Sequence, residues 1–296
     1  MRVGVSLRSA YPADDVRMGA RWMIERAAAA REAGLDSLFV GDHHATGPVP
    51  YYQNTPIMGR LLAEWSDAPA GALFLLPLWN PVLVAEHMGT LASVARGRFI
   101  LQCALGGGEE QFAAMGVDIK KRVSLFEGNL DVVRRLLAGD DVDGARIAPL
   151  PPEPVEVWIG GHAPPALDRA ARLGDGWIAG PEATDEQAAE LVAAYRERCA
   201  AHDRAPTVVA IRRDVHVGQD DADARAVAGP VLQRGYRGFD TAATVVGGPE
   251  RVEERFAGYA ALGFTDVIIR HLADGQDDVL ASFSRLAGVR EAVSKL

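Results

Sequence analysis

The sequence predicts an α/β protein built as a single (β/α)8 TIM barrel, and three observations support this fold class. Eight short apolar segments alternate with predicted helices, without any block rich in strands. These segments are apolar throughout, as parallel strands covered on both sides are. The 296 residues exceed the length of about 250 that is typical of a barrel, which leaves room for insertions. An open Rossmann-type sheet is the alternative, but Gln111 stands where its G-x-G-x-x-G motif, starting at Gly106, would have the third glycine.

The first half of the chain contains four predicted strands, and local signals mark the ends of the helices between them. Gly34 is a suitable left-handed cap for an alanine-rich helix. Thr55-Pro56 and Asn80-Pro81 each open a helix, because proline at the first helical position loses no hydrogen bond. The predicted elements are the strand Arg2–Leu7, the helix Val16–Ala33, the strand Leu35–Gly41, the helix from Thr55, the strand Gly71–Leu76, the helix from Asn80 to near Gly97 and the strand Phe99–Leu105.

The second half repeats this alternation. Ser124 and Glu127 have the spacing of a capping box, which predicts a helix from Ser124 to Gly139. The remaining predicted elements are the strand Val155–Ile159, the helix Pro164–Leu173, the strand Gly176–Ala179, the helix Asp185–His202, the strand Val208–Val217, the helix Pro249–Leu262, the strand Asp266–Arg270 and the helix Val279–Val293.

Two segments are longer than ordinary connections, Gly106–Val123 after strand four and Gly218–Gly248 after strand seven. Insertions of this kind in barrels usually fold over the active site. We expect one domain over residues 1–296, because no segment has the composition of a domain linker.

Composition narrows the classes of partner and location. The net charge is −9 and no run of Lys or Arg is longer than three, so we do not expect a nucleic-acid partner. Two cysteines predict neither a disulfide framework nor a zinc site. Because the sequence has neither an apolar leader nor 18 consecutive apolar residues, we expect no membrane association and a cytoplasmic location.

In a barrel the functional side chains follow the carboxyl ends of the strands. Asp42-His43-His44 follows strand two, where neighbouring side chains point in opposite directions, so only one imidazole can face a ligand. With neither H-x-H nor H-E-x-x-H in the sequence, a metal site is not expected. One histidine with a flanking carboxylate suits proton transfer, although a loop histidine bonded to backbone is also possible. Other polar strand ends are Ser6, Arg212 or Arg213, and Arg270.

Two glycine segments also follow strands. Gly160-Gly161-His162-Ala163 precedes a helix that begins with proline, which predicts either a phosphate cradle of free amides or a tight turn. Gly106 to Gly108 let a flat ligand approach the backbone or form a flexible loop. For several further side chains an active-site role and an ordinary structural one both stay open: Glu109 and Glu110 as acid/base groups, and Trp79, Tyr51 and Tyr52 as an apolar substrate wall.

Missing motifs exclude several classes of barrel enzyme. The lysines are Lys120, Lys121 and Lys295, none of which lies on a predicted strand, so a Schiff-base aldolase is not expected. No G-x-S-x-G elbow is present for a serine hydrolase, and the strand ends carry no clear glycosidase pair of carboxylates. The remaining polar groups favour a site that holds a cofactor with the reactive chemistry.

The sequence resembles the bacterial luciferase-like family of barrel oxidoreductases, which use FMN or the deazaflavin coenzyme F420. The most specific matches are LLP-x-x-NP near Asn80 and IGG-x-x-P-x-x-L-x-x-A-x-x-x-x-DGW from Ile159. The matching segments are Ala33–His44, Leu75–Leu91, Gly97–Gly116, Arg122–Gly139, Val157–Ile178 and Val246–Arg270.

The resemblance implies a tricyclic ring beside Asp42 and His43, with His43 transferring the proton. The predicted catalytic residues are His43, Asp42 and Glu109. It implies a phosphate held by Gly160, Gly161 and the amides of His162 and Ala163. A cis peptide beneath the ring would fall near Leu73-Phe74, at a cost of about 3 kcal/mol. The other residues predicted to bind the cofactor are Ser6, Leu73, Phe74, Gly106, Gly107, Ala179 and Gly180.

The choice of cofactor depends on the segment after strand four. FMN-using relatives commonly have an arginine there that meets the phosphate, whereas this sequence has Leu105, which favours F420. The Asp42-His43-His44 tripeptide more closely resembles the FMN-using luciferases of the family. The alternative is therefore an FMN-dependent monooxygenase that activates oxygen. A non-redox barrel, either a hydrolase or a ligand-binding relative, is a second alternative. The expected partners are a small-molecule substrate and, by resemblance, a second copy in a homodimer.

Overall fold

The computed structural model describes residues 1–11, 15–238 and 240–296. Among these residues the chain forms nine strands and ten α-helices. The strands are β1 (Arg2–Leu7), β2 (Ser37–Val40), β3 (Ala70–Leu75), β4 (Phe99–Ala104), β5 (Glu156–Gly160), β6 (Gly176–Ala179), β7 (Val208–Val217), β8 (Val245–Gly247) and β9 (Asp266–His271). The helices are α1 (Val16–Glu32), α2 (Asn54–Leu61), α3 (Pro81–Val94), α4 (Glu109–Ala114), α5 (Arg122–Leu137), α6 (Pro164–Leu173), α7 (Asp185–Ala201), α8 (Asp221–Gln233), α9 (Pro249–Leu262) and α10 (Gln276–Val293).

The strand order is β6-β5-β4-β3-β2-β1-β9-β7-β8, with a further pairing of β6 with β7. All of these strands except β8, which among the described residues pairs only with β7, form the eight-stranded parallel barrel. Eight parallel strands that alternate with helices define a (β/α)8 barrel, so the predicted fold class is confirmed. Contacts divide the chain into two compact units, and neither unit is a continuous stretch of chain.

The first compact unit comprises residues 1–7, 25–38 and 158–296. In it β1 pairs with β9, β9 with β7, β7 with β6, and β6 with β5, all in parallel. Registers such as Arg212↔Ile268 and Asp214↔Arg270 show which side chains share a face of the sheet. Trp177, in the core of this unit, packs against Tyr195 with ring centroids 4.9 Å apart.

The second compact unit comprises residues 8–24 and 39–157. Here β3 pairs in parallel with β4 through all six residues, from Ala70↔Phe99 to Leu75↔Ala104. Leu75, Leu78 and Phe112 form a buried cluster at the carboxyl end of β3. The buried cluster places the segment after β4 against β3, which positions the functional side chains described below.

Local signals predicted several elements well. The bounds of α6, β6, β7 and α9 are those predicted from the sequence. Gly34 and Gly263 follow α1 and α9 with left-handed φ values of 70° and 97°, as predicted for helix caps. Asn80 caps α3, because its side chain accepts hydrogen bonds from the amides of Val82 and Leu83.

Three local predictions are wrong. Helix α5 begins at Arg122 rather than at a capping box on Ser124, whose hydroxyl instead donates to the Lys121 carbonyl inside the first turn. The peptide bond between Leu73 and Phe74 is trans, because both residues continue the regular ladder to β4. No helix or strand was predicted in the insertion after β7, but it contains α8 and the short strand β8, which pairs with β7.

No helix in the described part of the chain is long and apolar enough to cross a membrane.

Candidate functional site

Asp42, just after β2, is the centre of a buried polar network in the second compact unit. Its side chain is fully buried, and its Oδ2 accepts hydrogen bonds from the Leu75 amide and from Trp79 Nε1, both at 2.8 Å. Its Oδ1 lies 3.3 Å from His44 Nε2. The carboxylate therefore fixes the end of β3 and the Trp79 indole, and it contacts His44 rather than His43.

The two neighbouring histidines have different surroundings, as the alternation of side chains requires. His44 is mostly buried and packs edge-on against Trp79, with ring centroids 5.4 Å apart. His43 is exposed and packs against Tyr51 at 6.0 Å. Only His43 of this pair is thus accessible to a ligand.

The His43 ring has a pKa lowered from its ordinary value, chiefly by loss of hydration around it. The Asp42 charge partly opposes this lowering of the pKa, and His44 adds to it. His43 is therefore neutral at pH 7, and one of its ring nitrogens can accept a proton.

Gln111 joins the histidine segment to the glycine loop after β4. Its Oε1 accepts a hydrogen bond from the His44 amide at 2.7 Å, and its Nε2 donates to the Gly107 carbonyl at 3.1 Å. Gly106 and Gly108 have left-handed φ values of 69° and 85°, and a Cβ on Gly107 or Gly108 would meet no atom within 4 Å. A role for Gln111 in the site was not predicted from the sequence, where this residue only marked the absence of the third motif glycine.

Only some of the predicted aromatic and strand residues lie beside the Asp42-His43-His44 segment. Trp79 and Tyr51 lie beside His44 and His43. Tyr52 instead donates a hydrogen bond to the Val16 carbonyl and packs against Tyr11, so it contacts the start of α1. Phe74 is fully buried against Trp79, whereas Leu73 lies on the opposite face of β3 and is partly accessible.

Leu73 shares its face of the sheet with Gln102, its register partner on β4. Gln102 is buried, and its Nε2 has no hydrogen-bond partner among the residues that the structure describes. A buried amide without a partner indicates a place where a polar ligand atom belongs. A glutamine within an apolar strand was the sequence signal for it. Glu109 and Glu110 are exposed in the first turn of α4.

The turn after β5, in the first compact unit, carries the predicted phosphate cradle. Gly161 has a φ of 148°, and a Cβ there would lie 2.7 Å from the Ala166 side chain. The amides of His162 and Ala163 donate no hydrogen bond within residues 1–11, 15–238 and 240–296. Because α6 begins with Pro164-Pro165, its first two positions offer no amide. The free donors are therefore before the helix, on His162 and Ala163.

Glu182 lies beside this turn and was not identified from the sequence. Its Oε1 is 2.9 Å from His162 Nδ1, and a Cβ on Gly180 would lie 2.4 Å from its carboxylate oxygens. A carboxylate at this position repels an anion unless it moves away or His162 carries a proton. Gly180 is thus needed for the position of Glu182.

Strand register separates the remaining predicted residues. Register pairs Gly160 with Ile178 and Gly4 with Ile268, both of which lie on the sheet face that carries Arg212 and Arg270. Residues two apart on a strand share a face, so Gly180 and the Ser6 side chain lie on this face as well. Ala179 points to the opposite face, where it is fully buried. Only its backbone can therefore contact a ligand on the first face. No cluster of three His, Cys, Asp or Glu residues suited to a metal ion occurs among the described residues.

The fold and these sites agree with one protein family. A model of the luciferase-like monooxygenase family matches residues 1–265. The chain therefore belongs to the luciferase-like monooxygenase family.

Two curated relatives have a more specific name. The F420-dependent glucose-6-phosphate dehydrogenase of Beutenbergia cavernae is 30% identical over 242 residues, which cover 75% of this chain and 71% of the relative. That of Amycolatopsis mediterranei is 28% identical over 191 residues and 58% of this chain. The match spans little more than half of the Amycolatopsis protein, 57% of its length.

Solved structures extend the likeness of fold over nearly the whole chain. An F420-dependent secondary alcohol dehydrogenase in complex with an F420-acetone adduct superposes with a TM-score of 0.80, at 17% identity, over 99% of this chain and 98% of that one. The oxygenating constituent of 3,6-diketocamphane monooxygenase from Pseudomonas putida, in complex with FMN, has a TM-score of 0.77 at 17% identity over 97% of each chain.

Proposed function

We propose that this protein is an oxidoreductase that binds coenzyme F420 and transfers a hydride between the deazaflavin and a small organic substrate. The observation that carries the proposal is His43, an exposed histidine with a lowered pKa on a segment fixed by the buried Asp42 network. Gln111 links this segment to an open glycine loop. The names of the curated relatives and membership of the family support F420 as the cofactor.

The donor set present in each compact unit fits one part of this coenzyme. The unpaired Gln102 Nε2, the accessible side of Leu73 and the backbone of Gly106 and Gly107, with open space at Gly107, suit a flat polar ring. In the other unit the free amides of His162 and Ala163, next to Gly160 and Gly161, suit a phosphate. Ser6, Gly180, the backbone of Ala179 and the backbone around the buried Phe74 remain proposed contacts of the cofactor.

The protein's own residues transfer the proton in the proposed reaction. When bound, the deazaflavin supplies the carbon that accepts or releases the hydride. The neutral His43 ring accepts the proton of a substrate heteroatom as the hydride leaves the substrate, and it returns this proton in the reverse direction. Glu109, exposed near the same loop, is proposed to exchange the proton with solvent. Asp42 orients Trp79 and His44, which with Tyr51 would bound the substrate.

An FMN-dependent monooxygenase is the second candidate. The family model and the FMN complex of the Pseudomonas putida enzyme favour it, whereas Leu105 favours F420 because it lacks the cation that commonly meets the FMN phosphate in relatives. Oxygen consumption with a supply of reduced FMN separates the two. The homodimer and the cytoplasmic location stay predictions, and the mass of the purified protein in solution tests the dimer.

The experiment is a titration of the purified protein with F420 and with FMN, followed by the visible spectrum, and then kinetics of the His43→Ala variant. We expect F420 to bind below millimolar concentration and the variant to lose about 10²–10⁴-fold in turnover. Because the His43 pKa is lowered, kcat/KM for substrate oxidation should fall only below about pH 6.5, and the variant should lose this limb of the profile.

The matched control is His202→Ala, which removes an exposed histidine paired with Asp168 on another surface. It should leave both the spectrum and the turnover unchanged. If neither cofactor binds, or if His43→Ala keeps full turnover, the proposed function is wrong. A chain that binds a ligand without any redox change would instead be a non-redox barrel, either a hydrolase or a binding protein.

A further inference from the structure

Three arginines and one aspartate form a charged cluster on β7, β9 and the segment after α8, all within the first compact unit. Arg212 and Asp214 are two residues apart on β7, and Asp214 pairs in register with Arg270 on β9. These three side chains therefore point to the same face of the sheet. Arg237 completes the cluster, which we call the arginine cluster (Arg212, Asp214, Arg237 and Arg270).

The single carboxylate of the cluster is already bound by its neighbours. Asp214 is 1% exposed, and its Oδ2 accepts hydrogen bonds from Tyr236 Oη at 3.0 Å and from Arg237 Nη1 at 2.9 Å. Its Oδ1 is 4.0 Å from Arg212 Nη2, which is too far for a hydrogen bond. Asp214 thus binds Arg237 directly and pairs with Arg212 only at 4.0 Å, and Arg270 has no ion pair among the described residues.

Arg270 and Arg212 are partly buried and lack partners for their inner donors. The Nε atoms of both are inaccessible to solvent and have no hydrogen-bond partner in the described residues. Arg270 forms no ion pair in that part of the chain, and the Arg212 side chain is 23% exposed. Burial lowers the pKa of Arg212 to about 10; Asp214 opposes this shift, and the charges of Arg270 and Arg237 strengthen it. Partly buried positive charge of this kind destabilises a protein unless an anion compensates it.

We propose that Arg212 and Arg270 bind an oxyanion group of the substrate, so that the substrate is a small organic acid or phosphate ester. A guanidinium offers two parallel N–H groups, which match the oxygens of a carboxylate or a phosphate. Two guanidiniums on one face of the sheet provide such a fork from each of two neighbouring strands. Tyr236 and Arg237 donate to Asp214 Oδ2, so this oxygen is already occupied and does not compete with an incoming anion for their donors.

That the bound anion is a substrate rests on the proposed function. The anion site itself does not depend on the redox cofactor. The competing source of the oxyanion is the charged tail of the coenzyme. Amides after β5 are already proposed for that phosphate, which leaves the arginine cluster for the substrate. The experiment therefore measures anion and coenzyme binding separately.

The probe is inorganic phosphate, titrated by calorimetry into the cofactor-free protein. We expect Arg270→Ala and Arg212→Ala each to weaken phosphate binding about 10- to 100-fold, and Arg270→Lys to be intermediate because it keeps the charge and loses the fork. Phosphate binding should survive in Gly161→Ala, which obstructs the turn after β5. Arg234→Ala is the control, since Arg234 is exposed and paired with Asp274.

The same variants are titrated with F420, and their melting temperatures show whether they are folded. Unchanged F420 affinity in Arg270→Ala, together with weakened phosphate binding, supports the proposal. Phosphate binding that is absent from the wild type or unaffected by both arginine variants overturns it. Equal weakening of phosphate and F420 also overturns it, because the cluster would then bind the coenzyme. Failure of F420 to bind any variant or the wild type contradicts only the proposed function.

Discussion

The Asp42 network and the arginine cluster are both buried polar groups at strand ends, but Asp42 accepts two hydrogen bonds from the protein whereas the inner donors of Arg212 and Arg270 have no partner in the described residues. Asp42 receives two hydrogen bonds at 2.8 Å from Leu75 and Trp79, and its second oxygen faces His44. In the arginine cluster one carboxylate faces three guanidiniums, and the Nε atoms of Arg212 and Arg270 have no partner in the described residues.

This difference separates positioning from binding. A buried charge that accepts hydrogen bonds from the protein stabilises a local arrangement, and its removal leaves those donors unpaired. A buried charge without partners gains them only from a ligand. The comparison therefore predicts opposite effects on stability for substitutions in the two places.

The largest effect is expected for Asp42→Ala. The substitution leaves the buried Leu75 amide and the partly buried Trp79 indole N–H without an acceptor, so the free energy of unfolding should fall by about 3–5 kcal/mol. Urea denaturation measures this change, and Glu110→Ala, at an exposed position of α4, is the control. A loss below about 1 kcal/mol would mean that the network does not hold the end of β3.

Arg270→Met should have a much smaller effect of the opposite sign. Because the substitution removes a partly buried charge that lacks an anion, we expect the free energy of unfolding to stay within about 1 kcal/mol of the wild type or to rise. The same urea experiment in phosphate-free buffer provides the measurement. A fall of more than about 2 kcal/mol would make the arginine a structural residue and remove the contrast with Asp42.

The stability of the protein should also depend on pH, because β7 carries a buried histidine whose protonated form is disfavoured in the folded state. His216 is 1% exposed, and neither of its ring nitrogens has a hydrogen-bond partner among the described residues. Burial lowers its pKa below the ordinary 6.5, an effect that Asp278 and Asp223 oppose and Arg285 reinforces. The unfolded chain therefore binds the proton first as the pH falls below 6.5, and stability declines.

The variant His216→Leu should flatten this decline by up to about 1.4 kcal/mol per pH unit below pH 6.5. Denaturation curves of the variant and the wild type between pH 8 and pH 5 test this expectation. At pH 8 the slopes of the two should coincide, because the histidine is neutral in both folded and unfolded chains. Parallel curves down to pH 5 would show that His216 titrates normally in the folded protein.

Local sequence signals predicted most elements because the chemistry that ends them is local. Gly34 and Gly263 end helices by adopting a left-handed backbone conformation, and Pro164 begins one. These effects do not depend on the rest of the fold. The Ser124 capping box failed because helix α5 begins two residues earlier, after a short 3-10 turn at Ile119–Lys121. The strand β8 was missed because three residues carry too little pattern to be distinguished from a loop.

The candidate site was predicted in part for a similar reason. Alternation along a strand indicated that only one of two adjacent histidines faces a ligand, and the structure exposes His43. It could not indicate which histidine contacts Asp42, because that depends on the path of the chain after β2. Nor could it place Tyr52, whose hydroxyl reaches the Val16 carbonyl on a segment distant in sequence.

The sequence by itself determined the alternation of strands and helices, the family and the residue types at the strand ends. Hydrophobic pattern, caps and turns act over a few residues, so they can be read without coordinates. Only the tertiary structure decided that Asp42 accepts two hydrogen bonds from the protein while the Nε atoms of Arg212 and Arg270 have no partner in the described residues. Whether a buried charge has a partner depends on groups from distant parts of the chain, and only the packing of strands in register brings those groups together.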